Sequence, residues 1–262
     1  MQSLNCLHMP KISAVIITLN EERNIGRCID SLAGIADEIV VVDSGSTDRT
    51  EEICKAGEVR FFFHAWEGYL EQKNHANALA SHPWILSLDA DEALSAELRE
   101  SILSIKNNLD FDGYDMNRLT NYCGKWIRHC GWYPDKKTRL FNREKFEWGG
   151  ERIHEILYKK DKTAKIGLLT GDLHHYSYHS ISEHIAQANH FTNLTASLAF
   201  DRGKKAGILK IIFSPVIKFI RDYFIKLGFL DGYYGYIVCR ISAQATFMKY
   251  SKIRQFHKDR RN

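Results

Sequence analysis

The segment from Lys11 to Thr18 constrains the fold most, because it is a short and almost uniformly apolar run rich in β-branched residues. It is too short for a helix and too apolar for a strand that has one face in water. Strands at the centre of a parallel sheet are covered on both faces and have this composition. The run therefore predicts an interior strand of a parallel sheet.

Helix and strand signals alternate after this run. Helices are predicted from about Arg23 to Leu32 and from about Tyr69 to Ala80. Further strands are predicted over Glu38–Val42, Val59–His64 and Trp84–Leu88. This β-α-β order predicts an α/β fold with a doubly wound parallel sheet, in which ligands bind at the carboxyl ends of the strands. Four loops are then expected on that one edge of the sheet, at Thr18, Asp43, His64 and Asp89.

The strand that starts at Trp84 ends in the tetrad Leu88-Asp89-Ala90-Asp91. Mg²⁺ and Mn²⁺ prefer oxygen ligands and commonly share a few carboxylates with substrate phosphates. Two aspartates at the end of a strand are therefore suited to holding a divalent metal against a diphosphate. The alternative is a capped turn, in which Asp-X-Asp also occurs. The loop from Asp43 to Asp48 likewise suits helix capping or nucleoside binding.

Four motifs, in this order and spacing, resemble the inverting family 2 glycosyltransferases of the GT-A fold, which is a Rossmann-like nucleotide-sugar-binding fold. They are Thr18-Leu19-Asn20-Glu21, Val41-Val42-Asp43-Ser44-Gly45-Ser46-Thr47-Asp48, Gln72-Lys73-Asn74 and Leu88-Asp89-Ala90-Asp91-Glu92. The resemblance implies a nucleotide-sugar donor and a Mg²⁺ or Mn²⁺ cofactor. The implied donor-binding residues are Thr18, Asn20, Glu21, Asp43, Ser44, Lys73, Asp89, Ala90 and Asp91.

The resemblance also implies a role for each donor-side residue. Asp43 would accept a hydrogen bond from uracil N3–H, and Lys73 would pair with phosphate or with Asp89. Asp91 would bind the metal directly, whereas Asp89 would touch the ribose or the water shell of the metal. A bound metal acts as a Lewis acid on the leaving nucleoside diphosphate. The alternatives are a helix-capping role for Asp43 and an ordinary solvated side chain for Lys73.

Inversion requires a carboxylate that takes the proton of the acceptor hydroxyl. Glu155 is the first candidate and Glu151 the second, both in the segment Gly149–Glu155. Its glycines would let the backbone approach a sugar closely. The resemblance favours Glu155, and the alternative is an ordinary charged loop. The chain lacks the Glu-Asp dipeptide that many members of the family carry as the base.

Three later stretches resemble bacterial lipopolysaccharide core glucosyltransferases, which place a β-1,4-linked glucose on the first heptose. They are Gly131-Trp132-Tyr133-Pro134-Asp135, Arg139-Leu140-Phe141 and Ile153-His154-Glu155. Aromatic faces bind the C–H faces of sugars. Trp132, Tyr133 and Trp148 are therefore candidates for acceptor binding, and the alternative is core packing.

Four histidines lie in one segment, of which His174 is a candidate metal ligand beside Asp89 and Asp91. No zinc-type spacing accompanies them. A structural, hydrogen-bonded role is the alternative for each histidine.

The C-terminal region is rich in apolar residues, but Pro215 and interspersed charges interrupt them, so no stretch approaches the roughly 20 apolar residues of a membrane span. After Pro215, Lys218, Asp222 and Lys226 recur opposite an aromatic-rich face, which predicts an amphipathic helix. This helix either packs on the catalytic domain or lies in the membrane interface, which we favour because a basic tail follows from Lys249 onward. A last helix is predicted from about Tyr233 to Tyr250.

These patterns predict a donor-binding half at residues 9–110, an acceptor-binding and catalytic half of the same domain at 111–200, and a membrane-associating helical extension at 201–262. Six dispersed cysteines indicate reduced thiols in a cytosolic protein. The net charge of +4 is mild, and no nucleic-acid motif accompanies it. No signal peptide is visible; residues 1–8 are expected to be a disordered lead-in, and Met9 is an alternative start.

The sequence thus predicts a metal-dependent inverting glycosyltransferase, peripheral at the cytoplasmic face of the membrane. It would move a hexose, glucose in the favoured case, from a nucleotide-sugar such as UDP-glucose. The acceptor would be a lipopolysaccharide core or a related lipid-linked glycan. One alternative is hexosyl transfer to a polyprenyl phosphate, and another is a non-catalytic glycan-binding scaffold.

Overall fold

The structure, a computed structural model, describes residues 10–151 and 154–260, and for Glu151 and His154 it describes the backbone alone. The expected lead-in of residues 1–8 lies outside this part of the chain. By its contacts the chain divides into two compact units. The first runs to Arg118 and resumes over Asp135–His175, and the second takes Leu119–Pro134 and the residues from Tyr176 onward. The functional division into donor half, acceptor half and extension stays a prediction.

Short strands and helices alternate along the described part of the first unit, and helices dominate the second. The strands are β1 (Ile12–Thr18), β2 (Glu38–Asp43), β3 (Arg60–Phe63), β4 (Trp84–Asp89), β5 (Glu92–Leu94), β6 (Gly113–Tyr122), β7 (Lys125–Ile127), β8 (Asp135–Asn142), β9 (Phe146–Glu151), β10 (His154–Lys159) and β11 (Ile166–Tyr178). The helices are α1 (Ile25–Ser31), α2 (Thr50–Ala56), α3 (Tyr69–Leu79), α4 (Ala96–Ile105), α5 (Ile181–Asp201), α6 (Ile208–Ile220) and α7 (Gly232–Asp259). The α/β class and the helical C-terminal region are as predicted.

Strand β1 is the interior strand that its apolar run predicts. All of its residues are buried, and it pairs in parallel with β2 on one side and with β4 on the other. Ile12 and Ile16 belong to the core cluster that includes residues of α1 and α4, whereas Val15 and Ile17 belong to the cluster that includes residues of α3. Alternate side chains point to opposite faces of a sheet, so both faces of β1 must be apolar.

The carboxyl ends of the parallel strands lie at one edge of the sheet, as the sequence predicts. Thr18 at the end of β1 is opposite Asp43 at the end of β2, and Asp43 is opposite Phe63 at the end of β3. Asp89 at the end of β4 is opposite Ile17. The loops that follow these strands therefore meet at this edge.

Antiparallel strands extend the sheet beyond β4, in the order β3-β2-β1-β4-β8-β6-β11-β5. The pairing of Leu86 with Leu140 sets the register between β4 and β8. The pairing of Glu92 with His175 sets the register between β5 and β11. Strands β9 and β10 form a separate pair in which Glu155 is opposite Gly150.

The second unit is built from α5, α6 and α7. Helix α6 begins at Ile208, earlier than predicted, and continues through Pro215 to Ile220. A π-helical turn at Arg221–Ile225 and a 3₁₀ turn at Gly228–Asp231 connect it to α7. Helix α7 continues to Asp259, nine residues beyond its predicted end at Tyr250. Among the described residues, no helix combines the length and apolar character needed to cross a membrane.

Candidate active site

The loops after β1 and β2 are joined by hydrogen bonds of their polar side chains. The Asp43 carboxylate accepts the backbone N–H groups of Gly45 and Ser46, each at 2.8 Å. Asn20, at φ 56°, donates its backbone N–H to Ser46 Oγ and accepts the Thr47 N–H at its Oδ1, both at 2.8 Å. Asparagine tolerates this left-handed conformation better than most residues. The two loops therefore form one preorganised wall at the sheet edge.

Asp43 uses its carboxylate within its own loop, and it does not cap α2, whose N-cap residue is Arg49. A carboxylate has about four lone-pair positions. The Asp43 carboxylate therefore keeps acceptor capacity for a further donor.

Thr18 and Ser44 connect this wall to the next elements. Ser44 donates its N–H to the Thr18 carbonyl at 3.0 Å, and Gln72 of α3 donates to Ser44 Oγ and to the His64 carbonyl. The Thr18 hydroxyl is buried and has no hydrogen-bond partner among the described residues. A buried hydroxyl without a partner is costly, so this group is suited to contacting a ligand.

Asp89 lies between two cations at the end of β4. Its Oδ2 is 2.6 Å from Arg139 Nη2, and its Oδ1 is 3.2 Å from Lys73 Nζ. Burial alone would raise the pKa of Asp89, but the charges of Arg139 and Lys73 outweigh burial and hold it well below its usual range. Arg139 also contacts Glu92 Oε1 at 2.6 Å. Asp89 is thus an ionised and firmly positioned carboxylate.

Asp91, two residues after Asp89, is also partly exposed. Its Oδ2 is 3.1 Å from His175 Nε2, and its side chain is 23% exposed. The sequence singled out His174, whereas the structure brings its strand neighbour His175 to Asp91. Because alternate residues of a strand face opposite sides, the two histidines do not share a face. Leu169 and Leu173 lie at even spacing from His175 on the same strand, and both are buried. This alternation in the sequence could have indicated that His175, and not His174, lies on the side of the strand that carries these leucines.

Lys73 of α3 joins Asp89 to the candidate base Glu155. Lys73 Nζ lies 3.1 Å from Glu155 Oε1 and 4.7 Å from the centre of the Trp148 ring. The Lys73 side chain is only 4% exposed. Lysine is almost never fully buried unless it is paired, so the solvated alternative for Lys73 is excluded. The Glu151 side chain lies outside the described part of the structure.

Glu21 adds a third acidic group near Asp91. Burial, together with the nearby charges of Asp91 and Asp48, raises the pKa of Glu21 to about 7, although a hydrogen bond from Asn24 acts in the opposite direction. A neighbouring cation would favour the ionised form of this carboxyl group.

The aromatic candidates for acceptor binding have different environments. Trp148 is buried in the first unit, where its ring packs edge-on against Phe141. In the second unit, Trp132 packs against Tyr122, and the Arg128 guanidinium lies 5.5 Å from the centre of the Tyr133 ring.

The side chains at the sheet edge fit a metal ion whose remaining ligands would come from the donor diphosphate and water. No group of three or more metal-ligating side chains is present among the described residues. Asp91 and His175 offer one carboxylate and one imidazole, and Mg²⁺ usually adds waters and substrate phosphates to one or two protein carboxylates. The donor set therefore matches a metal site shared with a diphosphate, and not a closed protein cage.

A model of glycosyl transferase family 2 matches residues 13–167. The chain belongs to this family, and it is a glycosyltransferase with the GT-A fold that its motifs indicate.

Relatives of similar length support the assignment. The chain is 34% identical over 263 residues to the lipopolysaccharide core biosynthesis glycosyltransferase LpsC of Rhizobium meliloti, covering 95% of this chain and 94% of LpsC. It is also 34% identical over 256 residues to an uncharacterised glycosyltransferase of Rickettsia prowazekii, covering 94% of this chain and 87% of that protein. The similarity thus spans nearly the whole chain in each case.

Similarity to solved structures is lower. The S. aureus TarS structure aligns with a TM-score of 0.44 and 15% identity, over 71% of this chain and 39% of TarS. Glucosyl-3-phosphoglycerate synthase from Mycobacterium tuberculosis, in complex with Mn²⁺, uridine-diphosphate and glucosyl-3-phosphoglycerate, aligns with a TM-score of 0.36 and 24% identity, over 43% of this chain and 44% of that one.

Proposed function

We propose that this protein is a metal-dependent inverting hexosyltransferase that moves glucose from UDP-glucose to a lipopolysaccharide core or a related lipid-linked glycan. The observation that carries the proposal is the buried Lys73 ammonium held between Asp89 and Glu155. Membership of family 2 supports the transfer of a sugar. The full-length similarity to a protein named for lipopolysaccharide core biosynthesis supports the acceptor class.

The nucleoside would bind at the wall formed by the loops after β1 and β2. Asp43 would accept the uracil N3–H with the capacity that its loop leaves over. The unpartnered Thr18 hydroxyl, with Asn20, Glu21 and Ser44, would line the same pocket. Ala90, which is 3% exposed, lies between the two aspartates and would complete the donor-side set.

Asp91 would hold Mg²⁺ or Mn²⁺, and we assign the adjoining position to His175 because of its contact with Asp91. When bound, the metal would act as a Lewis acid that offsets the charge growing on the leaving UDP. Asp89, held by Arg139, would orient the ribose or a water of the metal. Lys73 would contact the diphosphate as it binds.

Glu155 would act as the base. Its carboxylate would take the proton of the acceptor hydroxyl while that oxygen forms its bond to the anomeric carbon. The bond from the anomeric carbon to the phosphate oxygen breaks on the opposite face, and UDP leaves with the electron pair. Attack from the face opposite the leaving group inverts the configuration. Lys73 would orient Glu155 through the ion pair at 3.1 Å.

The acceptor class also determines where the enzyme works. A lipid-linked glycan is presented at the cytoplasmic face of the membrane, so we place the protein there as a peripheral enzyme. Trp132, Tyr133 and Trp148 stay candidates for contacts to the acceptor.

The test is a panel of nucleotide-sugars, with and without Mn²⁺, on a heptose-containing core lipid and on a polyprenyl phosphate. We expect metal-dependent release of UDP from UDP-glucose with the core lipid, and a β-linked product by NMR. A product on polyprenyl phosphate alone would support the alternative acceptor. Glycan binding without turnover of any donor would support a scaffold and contradict the proposal.

A further inference from the structure

Helix α6 of the second unit carries a continuous exposed apolar face, which we call the α6 face. Its side chains are between 46% and 67% exposed. The α6 face consists of Ile208, Leu209, Ile212, Phe213, Val216, Ile217 and Ile220 of the helix and of Phe224 in the π-helical turn that follows it. Beyond the helix, Ile225, Phe229 and Leu230 are also exposed. Contiguous apolar surface of this kind is rare on monomeric proteins and marks sites of interaction.

The inward side of the same segment already has its own contacts with the second unit. Ile211 is buried, and Phe219 packs against a buried core cluster. Asp222 is 1% exposed and forms ion pairs with Lys218 Nζ at 2.5 Å and Arg221 Nε at 2.9 Å. A surface helix of a water-soluble domain has an apolar side on the core and a polar side towards water. The α6 face is a second apolar side, and it has no cover among the described residues.

The charges in the sequence around the α6 face are predominantly positive. From Arg202 to Leu230 the chain has seven lysines and arginines, and Asp222 is its acidic residue. Lys204, Lys205, Lys210, Arg221 and Lys226 are exposed, whereas Asp222 is buried. The apolar surface is thus flanked by positive charge.

We propose that the α6 face is the surface by which the protein docks on an anionic lipid bilayer. A helix of 13 residues is about 20 Å long, too short to cross a hydrocarbon core of about 30 Å but suited to lying in its interface. Apolar side chains would enter the boundary between headgroups and acyl chains, and the flanking lysines and arginines would contact anionic headgroups.

A second copy of the chain is the less suitable occupant. A symmetric dimer places the same patch of both subunits against each other. Its flanking lysines and arginines would then face like charges, which disfavours association. An anionic bilayer can bury the apolar side chains and also pair with the positive charges beside them.

Vesicle flotation tests the inference, with phosphatidylcholine vesicles and with vesicles that also contain phosphatidylglycerol. We expect the protein to float with the anionic vesicles at low salt and less well at high salt, because salt screens the charges. The double variant Phe213→Gln/Ile217→Gln should bind at least about tenfold more weakly. The matched control Leu103→Gln/Leu168→Gln removes two exposed apolar side chains of the first unit and should float like the wild type.

The charge contribution has its own variant, Lys204→Gln/Lys205→Gln. Loss of two lysines near an anionic surface should weaken binding about thirtyfold. Binding to phosphatidylcholine alone should stay the same.

Three results would overturn the inference. They are a wild type that stays with the unbound protein, a Phe213→Gln/Ile217→Gln variant that floats normally, and a wild-type dimer that this variant converts to a monomer without any vesicle binding. The inference deepens the proposed membrane location, but flotation needs no turnover. Donor hydrolysis without vesicles should be the same in all these variants as in the wild type. A failure of the proposed function would appear as absent donor hydrolysis, whereas a failure of this inference would appear in flotation alone.

Discussion

Lys73 shows how one side chain organises the candidate site. Its ammonium contacts Asp89 at 3.2 Å, Glu155 at 3.1 Å and the Trp148 ring at 4.7 Å from the ring centre. These partners come from β4, β10 and β9, so the lysine of α3 links three strands. A buried ammonium needs such partners to offset the loss of water.

We expect Lys73→Met to lower kcat/KM by about 100-fold or more, since it removes the charge that we propose contacts the leaving phosphate and takes a partner from two carboxylates. Steady-state kinetics with UDP-glucose measure the change. Lys106→Met is a matched control, because Lys106 is a half-buried lysine that pairs with Asp37 at 2.9 Å. Equal losses in both variants would contradict a specific role of Lys73.

Glu155→Gln should lower kcat by about 10²–10⁴-fold, since the amide cannot take the proton of the acceptor. UDP affinity, measured by calorimetry, should change little. Glu151→Gln is the comparison variant at the neighbouring candidate. Full activity in Glu155→Gln with loss in Glu151→Gln would reverse the assignment.

The sequence predicts the strand ends of the parallel half of the sheet, but not the residues that the antiparallel strands bring to the candidate site. The positions of Asp43 and Asp89 were predictable because each ends a strand whose apolar pattern is local, and Asp91 follows two residues later. Arg139 and His175 reach the site through antiparallel strands. Their register depends on distant pairings such as Leu86 with Leu140, which a single sequence does not reveal.

At the scale of elements, a local sequence pattern predicts a strand or helix correctly where the tertiary packing agrees with it. The apolar run of β1 predicted its central place. Helix α5 was not predicted, although Ser180 and Glu183 form a capping box at its start. Helix α6 was expected only after Pro215, yet it passes through this proline, which removes one backbone donor.

The amino-terminal ends of β1, β2 and β3 meet at Glu38. Its carboxylate accepts hydrogen bonds from Ser13 Oγ and the Ser81 N–H, and it pairs with Arg60 at 2.7 Å. Burial alone would raise the pKa of Glu38, but these contacts outweigh burial and lower it from 4.5 to about 2. The charged carboxylate therefore stabilises the fold above about pH 4.5, and this stabilisation is lost as the pH falls towards 2.

We expect Glu38→Gln to lower the free energy of unfolding at pH 7 by about 1–2 kcal/mol, after allowance for solvent screening. The difference from wild type should shrink as the pH falls from 4.5 to 2. Urea unfolding at several pH values measures it. Glu52→Gln, which breaks an exposed ion pair with Arg49, should change the free energy of unfolding little. An effect of Glu38→Gln that does not depend on pH would refute the link between the ionisation of Glu38 and stability.

At the scale of the whole molecule, the similarity to relatives extends over both compact units of the chain. Identity of 34% over 95% of the chain and 94% of LpsC relates both units, not the donor half alone.

The basic tail has a partly structural role, because Lys252 Nζ donates hydrogen bonds to the Asn189 carbonyl at 3.1 Å and to Thr192 Oγ1 at 2.8 Å. Net charge therefore does not measure the positive surface that a partner would meet.

Binding of UDP with Mn²⁺ should raise the midpoint of thermal unfolding by about 5–10 °C at ligand concentrations near 100 times Kd. Chelation of the metal should remove most of this shift, and so should Asp91→Asn. Cytidine diphosphate with Mn²⁺ is the matched control for the proposed uracil contact of Asp43. An equal shift by UDP without metal would contradict the shared metal site.

The exposed α6 face has a practical consequence for handling the protein. Because these apolar side chains stay in contact with solvent in the folded chain, refolding in plain buffer cannot hide them, and salts that strengthen hydrophobic association will promote precipitation. A mild detergent or a lipid nanodisc present throughout purification should keep the enzyme monodisperse.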